Sequence, residues 1–266
     1  MIDVLSYSFF QKALLAGVLT GLLCGLMSVF VVAKHMAFIG QGIAHAAFGG
    51  IALGLLLNID PNLPAALFAI AMALGVSCLS GKNIKRRDLT IGVLLALSMA
   101  LGVVFLSFSS GYQGSVMSYL FGNILAVNHL DIIWLIVIII LTITFLVAFS
   151  KELKFFAVNE QIAEVYGIPS ALIQSLLLIS ISLAVISALR IVGIILVTSL
   201  FLVPGAVSLA FARSYKTLFA ISVVVSILSI LVGLFLSYWL NIPSGATIVL
   251  VLSTIFIATQ IVEKSR

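Results

Sequence analysis

Charged side chains are scarce in this chain. Asp, Glu, Lys and Arg make up 8% of its 266 residues, where a soluble domain carries about a quarter. So few charges cannot coat a globular surface, and a soluble fold is excluded. Cysteine is nearly absent as well. Cys24 and Cys78 each stand alone in an apolar run, which excludes a disulfide framework or a Cys-based zinc site and leaves both as small hydrophobes. Catalytic signatures are missing: the chain has no GxxxxGK[ST] loop for ATP, no HExxH and no serine-based constellation. By itself it is not expected to be an enzyme. Nor is a cleaved leader expected, because "MIDVLSYSFFQK" is acidic before it is basic and the apolar run behind it is longer than a leader's core.

What the chain does have is long apolar runs. Hydrophobic residues make up 63% of it, and a bilayer core takes about 20 residues of helix. Nine segments lack Asp, Glu, Lys and Arg: Ala13–Ala33, Met36–Leu57, Pro64–Leu79, Leu89–Phe108, Ile132–Phe149, Ala171–Leu189, Val192–Ala212, Thr217–Leu240 and Gly245–Val262. The predicted fold is an all-α, polytopic membrane helix bundle forming one transmembrane domain over residues 1–266. Orientation follows from Lys and Arg, which concentrate in cytoplasmic loops. If segments alternate sides, Lys34, Lys82, Lys85, Arg86, Arg87, Lys151, Lys154, Arg213, Lys216, Lys264 and Arg266 share one side, and only Lys12 and Arg190 the other. The N-terminus is therefore expected outside and the C-terminus in the cytoplasm. The net charge of +5 is then a topology signal, and no nucleic-acid partner is needed to explain it.

The second segment is unusual. "HMAFIGQGIAHAAFGGIALG" places nine Gly and Ala residues between Gly40 and Gly54, where a lipid-facing helix would hold bulky aliphatics. Gln41 and His45 are four apart and share one helical face. At 1.5 Å per residue from Lys34, His45 lies roughly 15 Å deep, near the bilayer midplane. An ionisable residue there marks a pathway by default, and imidazole is a common ligand for first-row divalent metals. The plainer alternative is a histidine hydrogen-bonded to a neighbouring helix. In the first segment Gly17, Gly21 and Gly25 form a double GxxxG, read as a helix-packing face.

Other stretches carry weaker signals. In "SKELKFFAVNEQIAEVYGIPS" (150–170), Val158, Ile162 and Val165 recur at helical spacing, with Glu160 and Glu164 between them and Gly167 and Pro169 closing the element. This predicts a short amphipathic cytoplasmic helix. It is too acidic for a typical lipid-surface helix and better suited to a protein cleft. The outer loop 109–131 could hold a short interfacial or re-entrant helix, and His129 and Asp131 at its end are candidates for receiving a metal. Pro204–Gly205 after Thr198–Ser199, and Pro243 with Gly245, mark either a pathway or structural punctuation.

Five stretches together resemble the membrane permeases of the bacterial ABC transporters that import zinc, manganese or iron: "VVAKHMAFIGQGIAHAAFGGIALG" (31–54), "YLFGNILAV" (119–127), "NEQIAEVYGIP" (159–169), "VGIILVTSLFLVPGAVSLAFAR" (192–213) and "LNIPSGATIVL" (240–250). They occur in the family's order and span most of the chain. The resemblance implies a multi-pass protein of the bacterial cytoplasmic membrane, drawn with eight or nine spans. Of those counts, eight is what the resemblance allows and nine what the charge pattern favours. The resemblance also implies a homodimer of permease subunits, separate ABC ATPase subunits that bind ATP, and an extracellular metal-binding protein. The divalent metal would be substrate, with no cofactor in this chain. The helix at about 157–167 would be the coupling helix, with Asn159, Glu160, Ala163, Glu164 and Gly167 toward the ATPase. The family's intramembrane metal site is an Asp and a His at i, i+4. Here His45 matches the His, and Gln41 occupies the Asp position. A neutral amide in place of a carboxylate implies weaker binding and lessens the case for manganese relative to zinc. Two rival functions are a stand-alone secondary transporter, against which the carboxylate-free spans count, and a structural membrane protein without a pore.

Overall fold

Inside lipid no water is present to bond a free backbone group, so an open chain crosses only as helix. A computed structural model describes residues 8–80, 84–109 and 127–264, and ten helices with no strand occur among the described residues. They are α1 (Ser8–Ala33), α2 (Ile39–Leu56), α3 (Asn62–Ser80), α4 (Ile84–Phe108), α5 (His129–Ala148), α6 (Ser150–Val158), α7 (Glu160–Val165), α8 (Ser170–Phe211), α9 (Tyr215–Leu240) and α10 (Ser244–Lys264). All but α6 and α7 are long and apolar enough to cross a membrane, giving 8 candidate spans. The expected interfacial helix in the outer loop, and most of "YLFGNILAV", lie outside the described residues.

Nine predicted segments thus fall in eight long stretches, because α8 is two helices joined at a kink. It runs for 42 residues, about 63 Å if straight and about twice a hydrocarbon core. It is not straight. Gly193 sits at φ 78° and ψ 170°, a conformation closed to side chains with a Cβ. The sixth and seventh segments therefore meet end to end at one residue, with no loop between them. Helices also begin earlier than the apolar runs. α1 takes in Lys12, and the first turn of α4 carries Arg86 and Arg87; the exposed Arg86 can extend its charge toward water at the membrane edge, whereas Arg87 is buried.

Contacts divide the chain into two compact units. One comprises Met1–Val32, Ser118–Ile139 and Ser187–Arg266. Within it, Gly21 and Gly25 let α1 approach α9. A Cβ on Gly25 would lie 2.8 Å from the Val223 backbone, and Ser222 donates its hydroxyl to the Gly25 carbonyl at 2.7 Å. Gly17 is buried two turns before Gly25. Pro204 has no N–H to give, and the next N–H, on Gly205, donates to the Ser28 hydroxyl at 2.7 Å. Thr198 and Ser199 bond back to the Ile195 carbonyl of their own helix. At the end of α9, Asn241 adopts the left-handed conformation (φ 54°) just ahead of Pro243, a common stop.

The other unit comprises Ala33–Met117 and Ile140–Ile186. Its centre is α2 packed on α3 and α4. The small residues of α2 are explained there: a Cβ on Gly49 would lie 2.7 Å from the Ser98 carbonyl oxygen of α4, and one on Gly50 would collide with the Pro64 carbonyl of α3. Glycine lets the three backbones pack at a distance that alanine would forbid. Ser182 of α8 and Ser77 of α3 add hydrogen bonds, to the Ala69 carbonyl at 3.3 Å and to Ser175 at 2.9 Å.

Candidate functional site

The two sides of α2 differ. Gly42, Ala46 and Gly50 are buried, whereas Gln41 is exposed and His45 half-buried on a neighbouring strip, on which Gly49, one turn beyond His45, is buried against α4. His45 Nδ1 is covered yet has no hydrogen-bond partner within the chain. The alternative of a histidine satisfied by a neighbouring helix is therefore not met at that atom. A ring nitrogen and an amide oxygen one helical turn apart are both atom types that divalent cations accept as ligands. No group of three or more His, Cys, Asp and Glu side chains gathers among the described residues. Zinc takes about four ligands, more than these two residues offer.

The second cluster lies where α1 ends and α6 gives way to α7. Asn159 is extended (φ −160°, ψ 124°) and caps α7, its side chain accepting from the backbone N–H groups of Gln161 and Ile162. At the other end Gly167 (φ 76°) closes a Schellman turn. The N–H of Ile168 reaches the Ala163 carbonyl at 3.0 Å, and that of Gly167 reaches the Glu164 carbonyl at 2.9 Å. The helix is thus Glu160–Val165, shorter than the 157–167 expected, with 157 and 158 finishing α6.

Of the residues expected to face a partner, two turn inward. Ala163 is fully buried, and the Glu160 carboxylate sits 2.7 Å from Lys34 Nζ and 3.2 Å from Arg87 Nη2. Lys34 also donates to the Phe156 carbonyl at 2.8 Å, and its ammonium lies 3.8 Å from the centre of the Phe156 ring. Arg87 donates from Nη1 to the Lys34 carbonyl at 3.3 Å. Asn159 and Gly167 remain exposed, and Glu164 is half-buried. The open side of α7 is instead apolar: Val158 is 83% exposed, Val165 86% and Tyr166 68%.

One carboxylate between two cations leaves one buried positive charge in surplus. Burial works to raise the Glu160 carboxyl, but the hydrogen bonds and charges of Lys34 and Arg87 outweigh it and hold the group below its ordinary range. Burial pushes Lys34 below its ordinary value, Glu160 offsets only part of this, and Arg87 adds to the lowering. Sequence reasoning missed Lys34, Arg87 and Phe156. The two cations had been assigned wholly to the topology count, and no local pattern distinguishes them from Arg86 beside them.

A third cluster belongs to the other unit. Asn128 and Asp131 form a reciprocal cap at the start of α5: Asp131 N–H donates to Asn128 Oδ1 at 2.9 Å, and Asn128 N–H to Asp131 Oδ2 at 3.2 Å. Asp131 also pairs with Arg190 at 3.0 Å. The carboxylate considered for receiving a metal is therefore already engaged, while His129 beside it is exposed.

Known proteins match this architecture along its length. The profile of the ABC 3 transport family matches residues 6–263. A Thermotoga maritima protein named "Probable metal transport system membrane protein" is 39% identical over 249 residues, covering 94% of this chain and 88% of its own. The "Manganese transport system membrane protein MntC" of Listeria monocytogenes is 32% identical, with 95% and 90% covered. Among solved structures, "PsaBC from Streptococcus pneumoniae in complex with Fab" superposes with a TM-score of 0.85 at 27% identity, covering 97% of this chain and 93% of that one.

Proposed function

The chain belongs to the ABC 3 transport family, and from that premise we propose that it is the permease subunit of an ATP-driven importer carrying a divalent transition metal (zinc, manganese or iron) across the bacterial cytoplasmic membrane. The observation that carries this reading is the exposed Gln41 one turn before His45, whose covered imidazole Nδ1 has no partner within the chain, on a helix otherwise closely packed through its glycines. A second copy of the chain placed against these two residues completes the ligand set, so the working unit is a homodimer with its path along the dimer axis. With Gln41 in place of a carboxylate, the metal is held by neutral donors. Its residence is short, which suits passage more than storage.

ATP binds to separate ATPase subunits on the cytoplasmic side. The element α6–α7 couples to them, presenting Val158, Ile162, Val165 and Tyr166 to an apolar cleft, with the polar Asn159 and Gln161 at its edge. An extracellular metal-binding protein delivers the ion from the opposite side, where the N-terminus and Asp131–Arg190 lie; the C-terminus is cytoplasmic, and lipid surrounds the bundle. The test is labelled-metal uptake in a strain lacking its own importers, with this chain expressed beside its ATPase and binding protein. His45→Ala should lose most uptake while reaching the membrane at the wild-type level. Undiminished uptake would return His45 to a packing role.

A further inference from the structure

The coupling element is joined to the metal-facing helix by more than chain connectivity. Along the backbone α7 leads into α8, on the far side of the sequence from α2. In space, Glu160 at the start of α7 binds Lys34, five residues before α2 begins. The short link 34–38 is gripped at several points. The Lys34 ammonium holds Glu160 and the Phe156 carbonyl, its own carbonyl accepts from Arg87, and His35 takes a left-handed turn (φ 52°) between Lys34 and a fully buried Met36. Arg87, in the first turn of α4, binds both Glu160 and this link. All of these groups belong to one compact unit.

The geometry points to Glu160 as a positioning residue that transmits movement of α6–α7 directly to the start of α2, through Lys34 and Arg87, and so to the helix bearing Gln41 and His45. A half-buried carboxylate shared by two buried cations on separate elements cannot slide past them without leaving charge unpaired away from water. The three elements therefore move together. Without the carboxylate, α6–α7 still docks through its outward apolar side but moves independently of α2. This inference rests on the proposed role of α6–α7 in meeting an ATPase.

The experiment measures metal imported per ATP hydrolysed, in proteoliposomes holding the chain with its ATPase and binding protein. That ratio does not depend on how much complex assembles. Glu160→Gln should keep ATPase binding and hydrolysis while the ratio falls roughly tenfold, within the range that such couplings span. Glu160→Asp, which retains the charge, should restore most of it, and Lys34→Met provides a second break should the first variant assemble poorly. A merely structural Glu160 would lower uptake and hydrolysis together, and an unchanged ratio in Glu160→Gln and Lys34→Met overturns the inference. A wild-type complex with no ATP-dependent uptake at all would instead overturn the importer reading beneath it.

Discussion

Among the described residues, the Glu160 cluster of one unit and the Asp131 cluster of the other differ less in their carboxylates than in their cations. Glu160 and Asp131 side chains are equally covered, each 13% exposed, yet Lys34 and Arg87 are 7% and 1% exposed while Arg190 is 29% exposed. A cation that reaches solvent regains hydration when its partner leaves. A buried one does not, and the lost pairing becomes a cost to the fold. Glu160 answers two cations from different elements, whereas Asp131 answers one and also caps its own helix. The first cluster therefore joins elements, and the second finishes a helix end.

The largest expected consequence falls on the first cluster. Glu160→Gln leaves Lys34 and Arg87 charged, buried and without a carboxylate, and should cost about 3 kcal/mol of stability, read from unfolding of the detergent-solubilised protein. Lys34→Met should cost less, about 1.5 kcal/mol, because Glu160 loses one of two cations but keeps Arg87, and the Phe156 carbonyl alone is left without its side-chain donor. If the two variants were equally unstable, the surplus-charge account of the cluster would fail.

Acid offers a second way to test the contrast. Glu160 is held below its ordinary value of 4.5 when folded, so the folded state releases its proton more readily than the unfolded one. Its contribution is complete above the ordinary value and is lost as pH falls through the lowered one. Unfolding measured from pH 6 downward should show this loss in the wild type, and Glu160→Gln should remove that portion of it. An identical acid profile in both would mean that Glu160 gains nothing from its two cations.

Much of this architecture is legible in the sequence because lipid imposes a simple rule: every span must be helical and apolar, and the runs show it. The i, i+4 spacing of Gln41 and His45 placed them on one face, and Gly167 with Pro169 marked the end of α7. Less could be read where the cause is tertiary. Lys34 meets Phe156 across 122 residues and Arg87 meets Glu160 across 73, and no local period encodes such pairings. The amphipathic pattern of α7 was visible, but which side would be open was not. Val158 and Val165 are outward because Ala163 and Glu160 are claimed by the protein, and that depends on where α1 ends and α4 begins. The break between the sixth and seventh segments was legible near residue 190, but not that a single glycine at positive φ, Gly193, would make it without a loop.

The smallest expected effects belong to the second cluster, and they test whether capping or pairing matters more there. Asp131→Ala removes both the cap and the ion pair and should cost about 1 kcal/mol, the usual scale of a lost helix cap. Arg190→Gln removes the pair alone and should cost about 0.5 kcal/mol, because an ion pair whose cation reaches solvent gains little from its attraction. Added salt should shrink the Arg190 effect further and leave the cap untouched. In a double-mutant cycle the coupling between the two positions should stay below the effect of Asp131→Ala alone, as the cap persists without Arg190. A coupling as large as the full Asp131 loss would make the pair, and not the cap, the reason a carboxylate stands at the start of α5, and would align the two clusters that their exposure now separates.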